Sequence, residues 1–270
     1  MRIGFMGAGR MATALARGLV KAGTVTADSI VASDPSDDAR RMFLHEVPGA
    51  QVAGDNVANV GQADVVFLAV KPQTMADALA ALGSKIAAKS LVISIAAGIT
   101  VERIAGALPN GQRIVRVMPN TPCLIGQGAS GYSLGEHATK EDGQLVAKLL
   151  SAVGAAFEVP EASLDAVTGL SGSGPAFVYS MIEALTEGGV AAGLPAELAG
   201  ELATRTAVGA AEMVLQTGET PALLRERVTS PGGTTLAGLA VLAERGFKNA
   251  VVEAVQAASR RSAELGRAAK

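Results

Sequence analysis

The sequence predicts an α/β fold: a doubly wound, mostly parallel sheet built by the first half of the chain, followed by an all-helical second half. Three observations predict it. Short apolar runs alternate with apolar-periodic helical stretches over roughly the first 160 residues. Several of those runs, such as residues 65–70, are apolar without alternation, the pattern of strands buried on both faces. After about Glu161 such runs stop, and alanine-rich helical sequence takes over.

Taken in order, residues 2–6 read as a short strand and residues 11–22 as a helix with an apolar stripe. Residues 29–33 read as a second strand, followed by a helix near 36–45. Asn56 is placed to cap a short helix over 57–62. The runs at 65–70, 91–96 and 113–117 repeat the strand pattern, with helical stretches at 72–81 and 101–108 between them. Residues 132–134 and 156–159 add late strands around a helix at 140–153. Beyond them the helices are punctuated at Gly193-Leu194-Pro195, Gly218-Glu219-Thr220-Pro221, Ser230 to Gly233, and Gly246. A boundary near Pro160 divides the chain into residues 1–160 and 161–270.

Composition bounds the function. Hydrophobic residues make up 49% and charged residues 18%, enough to bury a core and too apolar for disorder. A net charge of −2 with no basic block argues against nucleic acid as a partner. The most apolar long segment, residues 174–194, is interrupted by Glu183, Glu187 and Gly188-Gly189, and is expected to be a buried helix rather than a membrane span. Met1-Arg2 runs directly into a strand, without the pattern of a signal peptide. Cys123 is the single cysteine, which excludes an intrachain disulfide and makes the cytoplasm the default location. His45 and His137 are the only histidines, so no metal site is expected.

The first motif is Gly7-Ala8-Gly9-Arg10-Met11-Ala12, a G-x-G-x-x-A pattern between the first strand and first helix. In a Rossmann-type fold Gly7 makes the tight turn, Gly9 admits a dinucleotide's pyrophosphate, and Ala12 permits close packing of helix on strand. Asp34, about 25 residues beyond Gly9, stands where an acid accepts from the ribose 2′-hydroxyl of NAD. Ser33, Ser36, Arg40 and Arg41 stand close enough in sequence to hold the 2′-phosphate of NADP, and a helix cap is the plain reading of Asp34-Pro35. The choice between NADH and NADPH is open at this point.

Further loops fall at strand ends, where ligands bind in open α/β sheets. They are Ala69-Val70-Lys71-Pro72, Ile95-Ala96-Ala97-Gly98 and Met118-Pro119-Asn120-Thr121-Pro122. Lys71, held between a buried strand and a proline, is read as facing the ligand. Asn120 and Thr121 either cap a helix or face the nicotinamide.

The second half carries Val228-Thr229-Ser230-Pro231-Gly232-Gly233-Thr234-Thr235. Its glycines let backbone approach a bound group, and Thr234 and Thr235 open a helix whose free N–H groups favour a small carboxylate. No lysine occurs between Lys148 and Lys248, and no histidine after His137. Carbonyl reduction needs a proton donor beside the oxygen, whereas a cyclic imine can enter already protonated. A site of hydroxyls and N–H groups therefore suits an imine better than a 2-oxo acid.

Val167-Thr168-Gly169-Leu170-Ser171-Gly172-Ser173-Gly174-Pro175-Ala176, followed by residues 228–235, resembles the pyrroline-5-carboxylate reductases, and the resemblance extends along essentially the whole chain. It implies reduction of L-1-pyrroline-5-carboxylate to L-proline by NADPH or NADH. It also implies a Rossmann domain and an all-α C-terminal dimerisation domain that interlocks with a second subunit, in dimers that often assemble further. Carried over by residue, the coenzyme contacts fall on Met6, Gly7, Ala8, Gly9, Arg10, Met11, Ser33, Asp34, Asn56, Ala69, Val70, Lys71, Pro72, Ile95, Ala96 and Ala97. Substrate contacts fall on Gly233, Thr234 and Thr235, with the Thr235 hydroxyl on the ring nitrogen and Ser173 and Gly174 lining the pocket. Glu161 matches a position near the substrate, or is a carboxylate at a helix start. Asp34 departs from relatives with serine there, and Arg227 replaces an amide of some relatives. The alternatives are a related imine or hydroxyacid oxidoreductase and, more remotely, a nucleotide sensor without activity.

Overall fold

In this computed structural model residues 1–268 are described. Eight strands form one sheet: β1 (Ile3–Met6), β2 (Ile30–Ser33), β3 (Gln51–Ala53), β4 (Val65–Leu68), β5 (Leu91–Ser94), β6 (Arg113–Met118), β7 (Gly128–Leu134) and β8 (Gly154–Glu158). Their spatial order is β3-β2-β1-β4-β5-β6-β7-β8, parallel throughout except for the antiparallel pair β6–β7. The chain winds outward from β1 to β3, crosses back to β4 and winds out the other way. The switch in direction therefore lies between β1 and β4, where open α/β sheets bind ligands.

Alternation of side chains along each strand divides the core into two layers. Ile3, Phe5, Ile30, Ala32, Phe67 and Ile93 face one way, onto Leu15 and Leu19 of α1 (Arg10–Lys21), Phe43 of α2 (Asp37–Glu46) and Leu149 of α6 (Lys140–Ser151). Met6, Val31, Val66, Leu68 and Val92 face the other way. They pack on Val60 of α3 (Val57–Gly61), Leu79 of α4 (Met75–Leu82) and Ile104 of α5 (Val101–Ala105). Phe5 anchors the first layer: its ring stacks on Phe67 at 5.0 Å and meets Phe43 edge-on at 5.8 Å. Each such fully buried ring contributes roughly 1.5–3 kcal/mol by leaving water. α6 starts in a complete capping box, Thr139 and Asp142 accepting from each other's backbone N–H groups.

Two strands differ from the sequence reading. β3 is unmarked in the sequence because it is a three-residue edge strand with no buried side chain. β7 begins four residues before the expected Tyr132, at Gly128, through a Gly-Ala-Ser-Gly stretch of low strand propensity. Pairing on both sides holds it, and added Cβ atoms at Gly128 and Gly131 would strike Cys123 and Val167. The stretch expected as one helix over 72–81 opens as a 3-10 turn, Pro72–Thr74, before α4.

The described chain forms two compact units, residues 1–173 with 256–268, and residues 174–255. Strands end at β8, and the first compact unit runs on to Ser173. The reason is packing: α7 (Leu164–Val167) buries Leu164 completely, the Ser171 hydroxyl donates to the Ala129 carbonyl of β7, and Gly172 sits against Met118 of β6. The second unit holds α8 (Gly174–Ala191), α9 (Ala196–Thr217), α10 (Pro221–Arg227), α11 (Thr234–Glu244) and the start of α12 (Phe247–Ala268). α8 and α9 pack closely because Gly189 meets Ala199. The segment expected to be a buried helix is not one within a single chain: α8 has no buried residue. Tyr179 of α8 and Leu215 of α9 stand 58% and 81% exposed. No described helix is long and apolar enough to cross a membrane.

Candidate active site

The glycine loop shows why its residues are required. Gly7 leaves β1 with φ +99°, its N–H donating to the Ser33 carbonyl at 2.8 Å. A Cβ there would lie 2.8 Å from the Ala69 carbonyl oxygen, so only glycine passes between the ends of β2 and β4. Gly9 is the N-cap residue of α1, with no side chain capping the helix. A Cβ on Gly9 would meet nothing within 4 Å, so the space over the first-turn N–H groups of α1 is open. Ala12 is fully buried against the sheet.

That opening belongs to a cavity of about 630 Å³ lined by Met6, Gly7, Gly9, Ser33, Asp34, Ser36, Gly54, Val57, Ala69, Val70, Lys71, Thr74 and Asp77, among others. Its size and mixed apolar and polar lining fit a dinucleotide coenzyme. The uncapped helix start supplies donors for a pyrophosphate, and the Asp34 carboxylate supplies acceptors for ribose hydroxyls. Asp34 Oδ2 accepts from the Ala8 N–H and Oδ1 from the Ser36 N–H, both at 2.8 Å. The helix-cap reading of Asp34 fails, because Ser36 caps α2 through the Ala39 N–H. Arg40 donates to the Asp34 carbonyl at 2.7 Å and pairs with Asp37, while Arg41 pairs with Asp38.

The side chains of the remaining coenzyme candidates lie outside the lining of this cavity, while the backbone N–H groups of Arg10 and Met11 are those of the open helix start. Arg10 points to solvent and Met11 packs against the core. Asn56 sits at the start of α3 without capping it; its amide donates to the Ala32 carbonyl at 3.3 Å, joining α3 to β2. Pro72 opens the 3-10 turn. Ile95, Ala96 and Ala97 follow β5 outside the lining, and Gly98 (φ +73°) after them packs on Gly266 of α12. Asn120 neither caps nor faces the cavity: Oδ1 accepts from the Ala129 N–H at 2.9 Å and Nδ2 donates to the Ser171 carbonyl at 3.2 Å. Its amide is a brace between β7 and the 168–172 turn. Thr121 is exposed at the start of a 3-10 turn and lies outside the lining as well. Residues the sequence did not single out, Gly54, Val57, Thr74 and Asp77, line the cavity instead. The only signal for the last two was their position just after Lys71-Pro72.

Glu161 is committed to structure. Its Oε1 accepts from the Val101 N–H that starts α5, at 2.8 Å, and from Arg116 at 3.2 Å. It is a helix-start carboxylate, but for α5 and not for its own helix. Arg116, 7% exposed in its side chain, also faces Asp165 at 3.8 Å, and Asp165 accepts from Ser262 at 2.6 Å. This chain of charges fastens the end of α12 to the sheet, and nothing in the spacing of these residues announces it.

Ser173 follows a π-turn over Thr168–Gly172, its N–H donating to the Thr168 carbonyl at 2.9 Å. Single π-turns of this kind recur at functional sites. Gly174 and Pro175 are the first residues of α8. In the second unit Gly232 turns the chain with φ +71°, and Gly233 is the N-cap of α11. A Cβ on Gly233 would fall 2.3 Å from the Ser230 hydroxyl, so this glycine makes room for its own loop. No side chain caps α11, so the N–H groups of Thr234 and Thr235 keep the open valence of a helix start. Arg227 is paired with Glu219 at 2.6 Å, away from any such role.

Residues 161–265 match the family model for the pyrroline-5-carboxylate reductase dimerisation domain, and residues 2–98 that for coenzyme F420-dependent NADP oxidoreductases. The chain is 46% identical to the pyrroline-5-carboxylate reductase of Methanosarcina acetivorans, over 98% of both chains. It is 46% identical to that of Arabidopsis thaliana, over 98% of this chain and 95% of the plant protein. The crystal structure of the Plasmodium falciparum enzyme with NADP bound superposes with a TM-score of 0.88 at 32% identity, covering 98% of each chain. The Coxiella burnetii enzyme gives 0.89 at 36% identity, again over 98% of each chain.

Proposed function

The chain belongs to the pyrroline-5-carboxylate reductase family of NAD(P)H-dependent oxidoreductases, and from that premise we propose how its residues divide the reduction of L-1-pyrroline-5-carboxylate to L-proline. Coenzyme binding falls to residues 1–160, and substrate binding and dimerisation to 161–270. Gly7, Ala8 and Gly9 form the turn that the pyrophosphate lies against, with the first-turn N–H groups of α1 as its donors; Asp34 takes the adenosine ribose, and Ala69, Val70 and Lys71 the nicotinamide half. When bound, the reduced nicotinamide supplies a hydride to the imine carbon. The substrate's ring nitrogen takes its proton from solvent beforehand, so the amine forms without a dedicated acid. The N–H groups of Thr234 and Thr235 hold the substrate carboxylate, as a helix start favours an anion. The Thr235 hydroxyl bonds the ring nitrogen and orients it, and Ser173 and Gly174 border the ring.

The observation that carries the substrate assignment is the uncapped start of α11 behind Gly232 and Gly233. The decisive assay is NADH and NADPH oxidation with L-1-pyrroline-5-carboxylate, with a 2-oxo acid as control. Turnover of the imine alone is expected; turnover of the oxo acid alone would overturn the assignment. Thr235→Ala is expected to lower kcat by 10²-fold or more, the scale of a lost orienting contact, while coenzyme affinity stays constant. An unchanged kcat would remove Thr235 from the mechanism.

The protein is a homo-oligomer. The proposed form is a dimer with interlocked helical domains, assembling further in some conditions, and the exposed apolar side chains of α8 and α9 support it. Elution at the 27.1 kDa of one chain would refute it. A cytoplasmic location follows from the sequence argument above, with neither nucleic acid nor membrane as a partner.

A further inference from the structure

We propose that this chain selects NADH over NADPH, with Asp34 as the specificity-determining residue. The proposal rests on the coenzyme-binding reading above. It starts from how the carboxylate is held. Asp34 stands directly after β2, and its two oxygens are fixed by the Ala8 and Ser36 N–H groups, each at 2.8 Å. A carboxylate has about four acceptor positions, so each oxygen keeps one for a ribose hydroxyl. The 2′- and 3′-hydroxyls of NADH are donors and match those positions. A 2′-phosphate donates nothing at neutral pH and brings two negative charges to an anion that two backbone groups prevent from swinging away.

The cations nearby do not offset this. Binding the 2′-phosphate ordinarily needs an arginine turned toward it. Arg40 stands against the Gly54 wall, but its guanidinium is engaged by the Asp34 carbonyl and by Asp37, and Arg41 pairs with Asp38. Lys71, which lines the cavity, follows β4, two strand positions from β2, or about 10 Å at ordinary sheet spacing. A second acid, Asp77, lines the same cavity. Ser36 caps α2 by accepting from the Ala39 N–H, and the one neutral O–H it can still donate does not balance the charge of a phosphate dianion.

Equilibrium binding of NADH and NADPH to the whole protein, without substrate, tests this by fluorescence or calorimetry. NADH is expected to bind at least tenfold more tightly, about 1.4 kcal/mol. Asp34→Asn keeps the shape and one acceptor while removing the charge, and should shrink the ratio by at least fivefold, mainly through tighter NADPH. Asp34→Ser should do the same or reverse the preference. A wild-type ratio below tenfold would overturn the proposal, as would substitutions that weaken both coenzymes equally, since Asp34 would then only anchor the glycine loop. If a variant fails to fold, the wild-type ratio still decides. Because no imine is present, a protein that binds NADH selectively but does not reduce the imine would refute the substrate reading alone. A protein that binds neither coenzyme would refute both.

Discussion

Asn120→Ala separates a ligand contact from a structural brace. The substitution removes the acceptor of the Ala129 N–H and the donor to the Ser171 carbonyl, at 2.9 and 3.2 Å. Both backbone groups are half-buried, so each unsatisfied partner costs about 1–2 kcal/mol, toward the lower part of the usual range. The sum is roughly 2–4 kcal/mol, or roughly 4–16 °C in Tm for a unit of this size. The loss should appear in urea unfolding followed by circular dichroism. NADH affinity of the folded fraction should stay within about twofold, because Asn120 does not line the coenzyme cavity. A variant as stable as wild type but unable to bind NADH would refute the brace and restore Asn120 to the coenzyme site.

Two other perturbations probe the framework. Cys123 is 2% exposed, and burial pushes its thiol pKa up, so at pH 8 less of it is thiolate than of a free cysteine. Its reaction with a disulfide reagent should be at least 10²-fold slower in native protein than in urea; stoichiometric labelling of native protein within minutes would contradict this burial. A Cβ on Gly266 would lie 2.8 Å from the Gly98 carbonyl oxygen, so Gly266→Val should lift the end of α12 from the turn after β5. Faster hydrogen exchange at Gly98 and residues beyond Ser262 is the expected reading, and unchanged exchange would show that the contact does not hold the helix end.

Residues 3–6, 65–68 and 91–94 are legible as strands because burial on both faces demands unbroken apolar sequence. Gly7 is legible because a tight turn with positive φ excludes a Cβ, and Gly9 because it follows in the same motif. The place of Asp34 at the end of β2 was legible from its distance along the chain, but not the two N–H groups that hold its carboxylate. The brace at Asn120, the ion pairs and hydrogen bond joining Arg116, Glu161, Asp165 and Ser262, and the cavity wall at Thr74 and Asp77 were not legible. Each depends on residues distant in sequence meeting in space, and polar residues in loops carry no periodicity that records their partner.

The sequence by itself determined the order of the elements, the glycine loop and the family, since these rest on local propensity and on motifs continuous along the chain. Only the tertiary structure decided where the first compact unit ends, which polar side chains are spent on the framework and which line the coenzyme cavity. A hydrogen bond is a fact about two positions, and until the sheet brings β2, β4 and β7 beside their neighbours, a free donor and a satisfied one are written with the same letter.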